Sequence, residues 1–469
     1  MWKIVFWVSK IFADVDFAVF EIYNLSYNIS IERKNLMIFD EKNIVLSFAA
    51  VSDVHITGDN TDDSEPKFRR AITQIREMAK THGHDIDAFL VVGDLIDKSW
   101  KEPEMQMQAF KSIYSSLSDA PLFYCLGGSH DLYWGSEAEP MFIANFRKHF
   151  GEENFVFDVD KESIAKGNRH AVIGSHHFIA LEPNNRNPIT YPEETKKWLA
   201  NILESAKNNG KYVFVITHPM ITDTCYGSLH GPDWATEDLT PILSKYPNVV
   251  IFGGHLHYPL PDERSIMQRE FTSVGCGAVR YMAIEQAGYE NMSGKTTMRD
   301  SWRVSTGHLC EVDKNGAVRF NRIDFVHDSL IKEPWVIPAP KVDGSHLSVY
   351  TRARADKAGT PYFSEDFASK TAFEETEGGK KFALTFSAAH DEDLVHHYVV
   401  TLKRENGEEK EYRILADFYR HEIPANMAKE ITLSPADVFA SGEKIFLSIT
   451  AQNSWGKTSA PAEVSYVVE

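Results

Sequence analysis

Between residues 45 and about 330, the chain alternates short apolar segments of strand length with amphipathic segments of helical length. Within residues 65–80, Phe68, Ile72 and Ile75 recur at the spacing of one helical face. Apolar runs that are typical of buried strands occupy residues 46–52, 87–93, 121–126, 211–217 and 249–252. This alternation predicts an α/β domain built on buried sheets.

The composition changes near Lys332, where three prolines follow within a few residues. Beyond this point short alternating strands replace the helical periodicity, which indicates a β-sandwich. A chain of 469 residues is also longer than one hydrophobic core usually holds. The predicted organisation is an N-terminal β extension at 1–44, an α/β domain at 45–332, a linker at 333–345 and a β-sandwich at 346–469.

The formal net charge is −18, which argues against binding long duplex DNA or an anionic membrane surface, because both require a basic surface. Neither a signal sequence nor a membrane-spanning segment is apparent. These features favour a cytoplasmic location and leave an extracellular one open. The four cysteines are far apart in sequence, which predicts free thiols rather than a disulfide framework.

Polar side chains with metal-binding chemistry follow the predicted strands. Asp53 and His55 come directly after the first apolar run, and an Asp or His also follows three of the later runs. Residues two apart in an extended segment point to the same side, so the Asp-x-His pair and the pair His255 and His257 can each present two ligands together. Carboxylate and imidazole groups suit Mn, Fe and Zn ions, which predicts a metal site at the carboxyl ends of the strands.

The order of these motifs resembles that of the calcineurin-like metallophosphoesterase family over residues 45–330. The motifs are Asp53-x-His55, Gly93-Asp94, Gly128-Ser129-His130-Asp131, His218 and Gly254-His255-Leu-His257. The resemblance implies a fold of two sheets packed between helices, an αββα sandwich. The chain also resembles a bacterial branch with a C-terminal sandwich, and its closing segment is similar to the last hairpin of fibronectin type III modules.

The same resemblance implies a two-metal centre of Mn, Fe or Zn ions that hydrolyses a phosphate ester. A water-derived hydroxide shared by the two ions would be the nucleophile. The ligands carried over from the motifs are Asp53, His55 and His257 for the first metal, His218 and His255 for the second, and Asp94 for both.

His130 resembles the family histidine that assists departure of the leaving group rather than binding metal. A positioned acid of this kind contributes about 10²–10⁴-fold to the rate. Asp97, three residues after Asp94, is the favoured residue to orient His130, and Asp131 is the alternative.

Ser129 departs from the family pattern, which has an asparagine that binds the second metal at this place. A hydroxyl is shorter than an amide and a weaker metal ligand. Three interpretations stay open: Ser129 reaches the metal directly or through water, the second site fills only at high metal concentration, or the chain is a lapsed enzyme.

Substrate contacts are expected from Asn184 and Arg186, since a guanidinium can hold a phosphate through two parallel hydrogen bonds. The predicted substrate is a small phosphodiester or phosphomonoester, with a cyclic nucleotide as one alternative. The other alternative is a lapsed scaffold whose sandwich binds protein or glycan through Tyr350, Tyr362 and Trp455. Removing metal would stop an enzyme and leave such a binding protein unaffected.

Replacing Ser129 tests the second ligand set. We expect Ser129→Asn to tighten binding of the second metal, because an amide oxygen is the stronger ligand. Titration of the metal-free protein with Mn²⁺ measures this, and the wild-type protein is the control. Two equally tight sites in both proteins would contradict the expectation.

Overall fold

The computed structural model describes residues 39–59, 61–125, 130–131, 168–284, 289–290, 292, 300–419 and 430–469. Most of the predicted N-terminal extension, residues 1–38, lies outside the described residues, and the first described strand begins at Ile44.

The first part of the chain contains seventeen described strands. They are β1 (Ile44–Val51), β2 (Ala88–Val91), β3 (Leu122–Tyr124), β4 (Arg169–Ile173), β5 (His176–Ala180), β6 (Asn185–Arg186), β7 (Ile189–Thr190), β8 (Val213–Ile216), β9 (Met220–Ile221), β10 (Ala235–Thr236), β11 (Val249–Gly253), β12 (Ile266–Gln268), β13 (Thr272–Gly275), β14 (Thr306–Asp313), β15 (Val318–Asp324), β16 (Ser329–Leu330) and β17 (Trp335–Ile337). The described α-helices of this part are α1 (Ser64–Thr81), α2 (Pro103–Leu117), α3 (Glu193–Ala206) and α4 (Thr240–Leu243), and single 3₁₀ turns lie at Glu263–Ser265 and Ser301–Arg303.

Two large sheets form the centre of this part. The first sheet has the order β16-β15-β14-β1-β2-β3, with β17 paired to β15, and the second has the order β12-β13-β11-β8-β5-β4. Strands β1, β2 and β3 are parallel, as are β5, β8, β11 and β13. Parallel pairing brings the carboxyl ends of these strands to one edge of each sheet, where ligand sites form in α/β proteins.

Strand β1 shows how the sequence places the sheets in layers. Phe48 and Ala50 belong to the apolar cluster between the two sheets, whereas Ala49 and Val51 belong to the cluster under the helices. Alternate residues of a strand face opposite sides, so β1 is covered on both faces. The Phe48 ring lies 5.2, 4.6 and 6.1 Å from three rings of the second sheet, those of Phe178, Phe214 and Phe252.

Helices cover the outer faces of both sheets. Phe68 of α1 and Phe110 of α2 stack with ring centroids 4.7 Å apart over the first sheet. Leu199 and Leu203 of α3 are fully buried in the cluster of the second sheet. The order of layers is therefore helix, sheet, sheet, helix, which confirms the predicted αββα fold class.

Part of the segment predicted as a linker belongs to the first sheet instead. Trp335–Ile337 forms β17, which pairs with β15 through Phe320 opposite Trp335. Trp335 is among the largest fully buried side chains, and its indole N–H donates to Glu263 at 2.6 Å. The nearby prolines predicted a linker, but burial of this indole holds the segment on the sheet.

The rest of the chain confirms the predicted all-β region. After a one-turn helix α5 (Arg354–Lys357), its strands are β18 (Ser369–Thr376), β19 (Gly379–Ser387), β20 (Val395–Arg404), β21 (Glu409–Leu415), β22 (Glu430–Leu433), β23 (Lys444–Asn453) and β24 (Ala462–Val467). They form an antiparallel sheet β18-β19-β22 and an antiparallel sheet β21-β20-β23-β24. The specific kinship with fibronectin type III modules stays a prediction.

All four cysteines are buried free thiols, as the sequence predicts. Among the described residues, no helix combines the length and the apolar character that crossing a bilayer requires.

Replacing Phe48 tests the packing between the sheets. We expect Phe48→Ala to lower the free energy of unfolding by about 3–5 kcal/mol, because it removes a fully buried ring from an aromatic cluster. Val172→Ala, at a side chain that is 54 % exposed in β4, should change it by less than about 0.5 kcal/mol. Urea denaturation followed by tryptophan fluorescence measures both, and equal losses would contradict this account of the core.

Candidate metal centre

Four strands end beside the residues that the motifs single out. Strand β1 is followed by Asp53 and His55, β2 by Asp94, β8 by His218, and β11 by His255 and His257. All six side chains are buried, with at most 9 % of any of them exposed. The two sheets therefore bring together residues that are up to 204 positions apart in sequence, from 53 to 257.

The backbone at these strand ends is unusual. Five of the six residues adopt the left-handed conformation, with φ of 54° at Asp53, 49° at His55, 47° at Asp94, 67° at His255 and 55° at His257. This conformation costs roughly 1–3 kcal/mol per residue and persists at functional sites, where the surroundings impose it. Gly254 permits the close approach of two strand ends, because a Cβ there would overlap Ser52 and Asp53.

The first cluster consists of Asp53, His55, Asp94 and His257, each with one ligand atom within 4.8 Å of the others. The Nε2 atoms of His55 and His257 are 3.3 Å apart, and Nε2 of His257 is 2.9 Å from Asp53 Oδ1. The other oxygen of Asp53 accepts the backbone N–H of His255 at 3.1 Å. One carboxylate oxygen of Asp53 is thereby fixed by the chain, while the second faces the cluster.

The second cluster consists of Asp94, His218 and His255. Asp94 Oδ2 lies 3.4 Å from His218 Nε2 and 3.7 Å from His55 Nε2, so this one oxygen faces both clusters. Asp94 Oδ1 accepts the backbone N–H of His130 at 3.3 Å. Asp94 is therefore placed between the two clusters, where a bridging ligand would stand.

Backbone carbonyls fix which ring nitrogen of three histidines faces the clusters. Nδ1 of His218 donates to the carbonyl of Val92 at 2.7 Å, and Nδ1 of His257 donates to that of Tyr281 at 2.8 Å. Nε2 of His255 donates to the Asp233 carbonyl at 3.0 Å. A carbonyl can only accept, so the opposite nitrogen of each ring is the one directed to a metal, and it binds in its deprotonated form; such carbonyl contacts are the usual support of metal-binding histidines.

His130 lies beside the first cluster, with its ring 4.4 Å from the His55 ring. Its Nδ1 donates to the backbone carbonyl of Asp97 at 2.5 Å, whereas the Asp97 carboxylate is 3.9 Å from the same nitrogen. Asp97 contacts His130 through its backbone rather than its side chain. Its carboxylate is equally close, 3.9 Å, to Nδ1 of His55.

Asp131, the alternative partner of His130, has another role in the structure. Its buried carboxylate accepts the backbone N–H of Ile96 at 3.0 Å and so braces the turn that follows Asp94. Burial and the nearby Asp94 carboxylate raise the pKa of Asp131 well above its usual value.

The remaining predicted site residues are Ser129, Asn184 and Arg186. Ser129 lies outside the described residues. Asn184 and Arg186 lie at the hairpin of β6 and β7, where Arg186 pairs with Ile189. The exposed Asn184 bonds Thr190, through its backbone N–H at 2.9 Å and through its side-chain oxygen at 3.2 Å.

Three residues around the centre were not singled out from the sequence. Trp234 stacks on His255 with centroids 4.7 Å apart, and Tyr281 packs on His257 at 4.2 Å. The guanidinium of Arg280 donates to the carbonyl of His55 at 3.3 Å. Arg280 and Tyr281 follow β13 as the other site residues follow their strands, so inspecting the end of one more strand would have found them.

Comparison with known families decides the class of this domain. Residues 46–259 match the model of the calcineurin-like phosphoesterase family. The chain contains a calcineurin-like phosphoesterase domain. The match confirms the resemblance seen in the motifs and the enzyme class, a phosphoesterase. It ends before the sandwich, whose family stays unassigned.

Solved structures of two phosphatases and a nucleotidase are among those similar to the chain. A dimetal phosphatase from Danio rerio is 11 % identical with a TM-score of 0.46, over 64 % of this chain and 100 % of that one. The purple acid phosphatase PPD1 from yellow lupin seeds is 13 % identical with a TM-score of 0.44, over 64 % of this chain and 55 % of that one. The NAD nucleotidase of Haemophilus influenzae is 12 % identical with a TM-score of 0.37, over 64 % and 55 %. Likenesses this distant carry no argument about this chain, and no curated protein matches it.

The residues of the phosphoesterase domain fit a metal-binding role. Two imidazole nitrogens, those of His55 and His257, converge to 3.3 Å beside buried carboxylates. The buried Nε2 of His218 makes no hydrogen bond with the described residues. Nitrogen and carboxylate oxygen together form the ligand set that Zn, Mn and Fe ions take.

Charges within the clusters displace the pKa values of their members. Burial alone would lower the pKa of His218, but the Asp94 carboxylate outweighs it and raises this pKa to about 10. Burial and the charge on His218 lower the pKa of His255 to about 4. In the metal-free protein at neutral pH, His218 is therefore protonated and paired with Asp94, whereas His255 is neutral.

Metal binding should consequently release a proton at pH 7. A metal must displace the proton on His218, so affinity should rise with pH up to about pH 10, by up to about tenfold per pH unit for one proton. Calorimetric titration with Mn²⁺ in buffers of different ionisation enthalpy counts the protons released. Absence of proton release at pH 7 would contradict this charge state.

Proposed function

We propose that the protein is a two-metal phosphoesterase that hydrolyses a small phosphate ester, with ions of the Mn, Fe or Zn type. The observation that supports this most is the position of Asp94, which faces two clusters of metal-binding groups within the phosphoesterase domain. The first metal would be held by Asp53, His55, Asp94 and His257, and the second by Asp94, His218 and His255.

Two ions at these positions would make a water nucleophilic near neutral pH and would neutralise charge on the phosphoryl group. The protein itself orients the carboxylates that would bind these ions. Asp53 is fixed through the N–H of His255, and Asp94 through the N–H of His130, so each carboxylate keeps one oxygen directed into the centre. Pre-set ligands need no rearrangement as charge develops during the reaction, which is how electrostatic stabilisation becomes effective.

His130 is the proposed proton donor. Its Nδ1 is engaged with the carbonyl of Asp97, which leaves Nε2 to give a proton to the departing oxygen as the P–O bond breaks. The side chain is 30 % exposed, so it is open to the solvent side, where substrate arrives. Asp97 then acts by fixing the ring through its backbone, and its carboxylate stands between His130 and His55.

The proposed substrates include phosphomonoesters, phosphodiesters and cyclic nucleotides, because metals held by the two clusters would bind the phosphate group rather than the alcohol attached to it. Asn184 and Arg186 stay proposed substrate contacts from the loop of β6 and β7. The net charge of −18 favours small esters over long duplex nucleic acid.

The alternative of a glycan-binding or protein-binding sandwich has less support. Of the three aromatic residues considered for a binding surface, Tyr362 is 59 % exposed. Tyr350 accepts the N–H of Val336, and the indole of Trp455 donates to Asp393 at 2.9 Å. The Arg354 guanidinium lies over both of those rings, so they pack in the structure instead of forming a platform.

Hydrolysis of bis-p-nitrophenyl phosphate and p-nitrophenyl phosphate with added Mn²⁺ tests the proposal. We expect turnover that a chelator abolishes and that His255→Ala lowers by at least about a hundredfold, because loss of a ligand should cost no less than loss of its support. His84→Ala, at a histidine outside both clusters, is the matched control and should keep wild-type activity.

Turnover of one ester alone would assign the substrate class within the proposal. Activity that survives in His255→Ala, or that is indifferent to the chelator, would refute the two-metal centre.

A further inference from the structure

We propose that the C-terminal sandwich positions the first ligand cluster, acting through residues 279–284, which we call the strap. The strap lies after β13, so it belongs to the first part of the chain by sequence. Its contacts, however, reach both the clusters and the sandwich core. This inference rests on the proposed metal centre and adds a role for the sandwich.

The backbone of the strap holds first-cluster residues in place. Arg280 donates its N–H to the carbonyl of Asp53 at 3.0 Å, and Ala283 donates to that of His257 at 3.0 Å. Between them, the carbonyl of Tyr281 accepts Nδ1–H of His257 at 2.8 Å. The strap therefore fixes both the position of the His257 backbone and the orientation of the His257 ring.

The phosphoesterase domain fixes one end of the strap. The ammonium group of Lys67, a residue only 8 % exposed, donates to the carbonyl of Arg280 at 2.6 Å and pairs with Asp63 at 2.9 Å. Arg280 in turn donates to the carbonyl of His55 and pairs with Asp63 at 3.0 Å. This end is held by charged groups on α1 and the loop before it.

The sandwich fixes the other end. Met282 and Ile284 are fully buried and belong to the same apolar cluster as the sandwich core, which includes Leu447 of β23. The chain just after the strap continues this contact, because Glu290 donates its N–H to the carbonyl of Arg413 in β21 at 2.7 Å. Side chains of the strap, together with Tyr289 and Val304, thus complete a core whose other members come from the C-terminal region.

The position of Tyr281 connects the packing of the strap to the orientation of the His257 ring. Its carbonyl lies one residue before Met282 and three before Ile284, so a shift of those side chains moves the acceptor of His257. Removing the acceptor that orients a ligand histidine typically costs 10–100-fold in metal affinity. The packing of Met282 and Ile284 in the sandwich core therefore positions His257, a residue that the sandwich itself does not contain.

A second contact connects the same two regions. The hydroxyl of Tyr226 and Nε2 of His396, in β20 of the sandwich, are 2.5 Å apart. The Tyr226 ring packs edge-on against Tyr258, with centroids 4.6 Å apart. Tyr258 follows His257 directly in the sequence. The sandwich is therefore connected to His257 by two routes, one through the strap and one through Tyr226 and Tyr258.

Ile284→Ala in the full chain tests the inference by metal binding rather than by activity. We expect titration of the metal-free protein with Mn²⁺ to show one site weakened about 10–100-fold and the other unchanged. Leu447→Ala is the matched control, because Leu447 is equally buried in the same apolar cluster but lies in β23. It should lower the stability of the sandwich by a similar amount and leave both metal affinities at the wild-type value.

The outcomes separate this inference from the metal centre itself. Wild-type protein that binds no Mn²⁺ would overturn both. Two wild-type sites that are unchanged in Ile284→Ala, or weakened equally by Leu447→Ala, would overturn the role of the strap alone. Should Ile284→Ala not fold, Ile284→Val is titrated instead; a smaller loss at the same site supports the inference, and wild-type affinity overturns it.

Discussion

The carboxylate of Asp94 is the group around which the rest of the centre is arranged. One of its oxygens accepts the N–H of His130, and the other faces His55 on one side and His218 on the other. A buried carboxylate is costly unless positive charge compensates it. In the metal-free protein the protonated His218 supplies that charge, and in the proposed enzyme two cations would supply it. The same buried charge thus accounts for the raised pKa of His218 and for the ability of the site to hold metal.

The fold delivers these groups through strands that are buried on both faces. Phe48 packs between the sheets against rings from β5, β8 and β11, so the strand that precedes Asp53 is locked to the sheet that carries His218 and His255. Because protein interiors are close-packed, a displacement of one sheet at this contact would also displace the other. The sandwich adds a further restraint at Met282 and Ile284. The centre consequently depends on packing in two cores rather than on its ligands alone.

Strand and helix periodicity predicted an α/β domain with buried sheets and a following β region, and local motifs predicted the metal-binding character of the strand ends, because both signals lie in neighbouring residues. The layered αββα arrangement was implied by the resemblance to a known family. The sequence could not predict contacts made by backbone carbonyls, which no residue type encodes. Asp97 shows this limit: its side chain suggested a partner for His130, while its carbonyl makes the contact. For a related reason the sequence placed Trp335–Ile337 in the predicted linker, because the nearby prolines gave no sign that the indole would be buried. Tyr281 was missed although it follows β13 as the ligands follow their strands.

The left-handed backbone at five of the six proposed ligand positions restricts how the sequence can vary there. Asp, Asn and His enter this conformation more readily than most residues, whereas β-branched residues are strongly disfavoured in it. Substitution by Val, Ile or Thr at Asp53, Asp94 or His257 would therefore strain the main chain, whether or not a metal is bound. In a lineage that no longer needed the metal, we would expect substitutions at these positions to introduce Asn or Gly. Either residue would keep the turn intact while the original metal-binding side chain is lost.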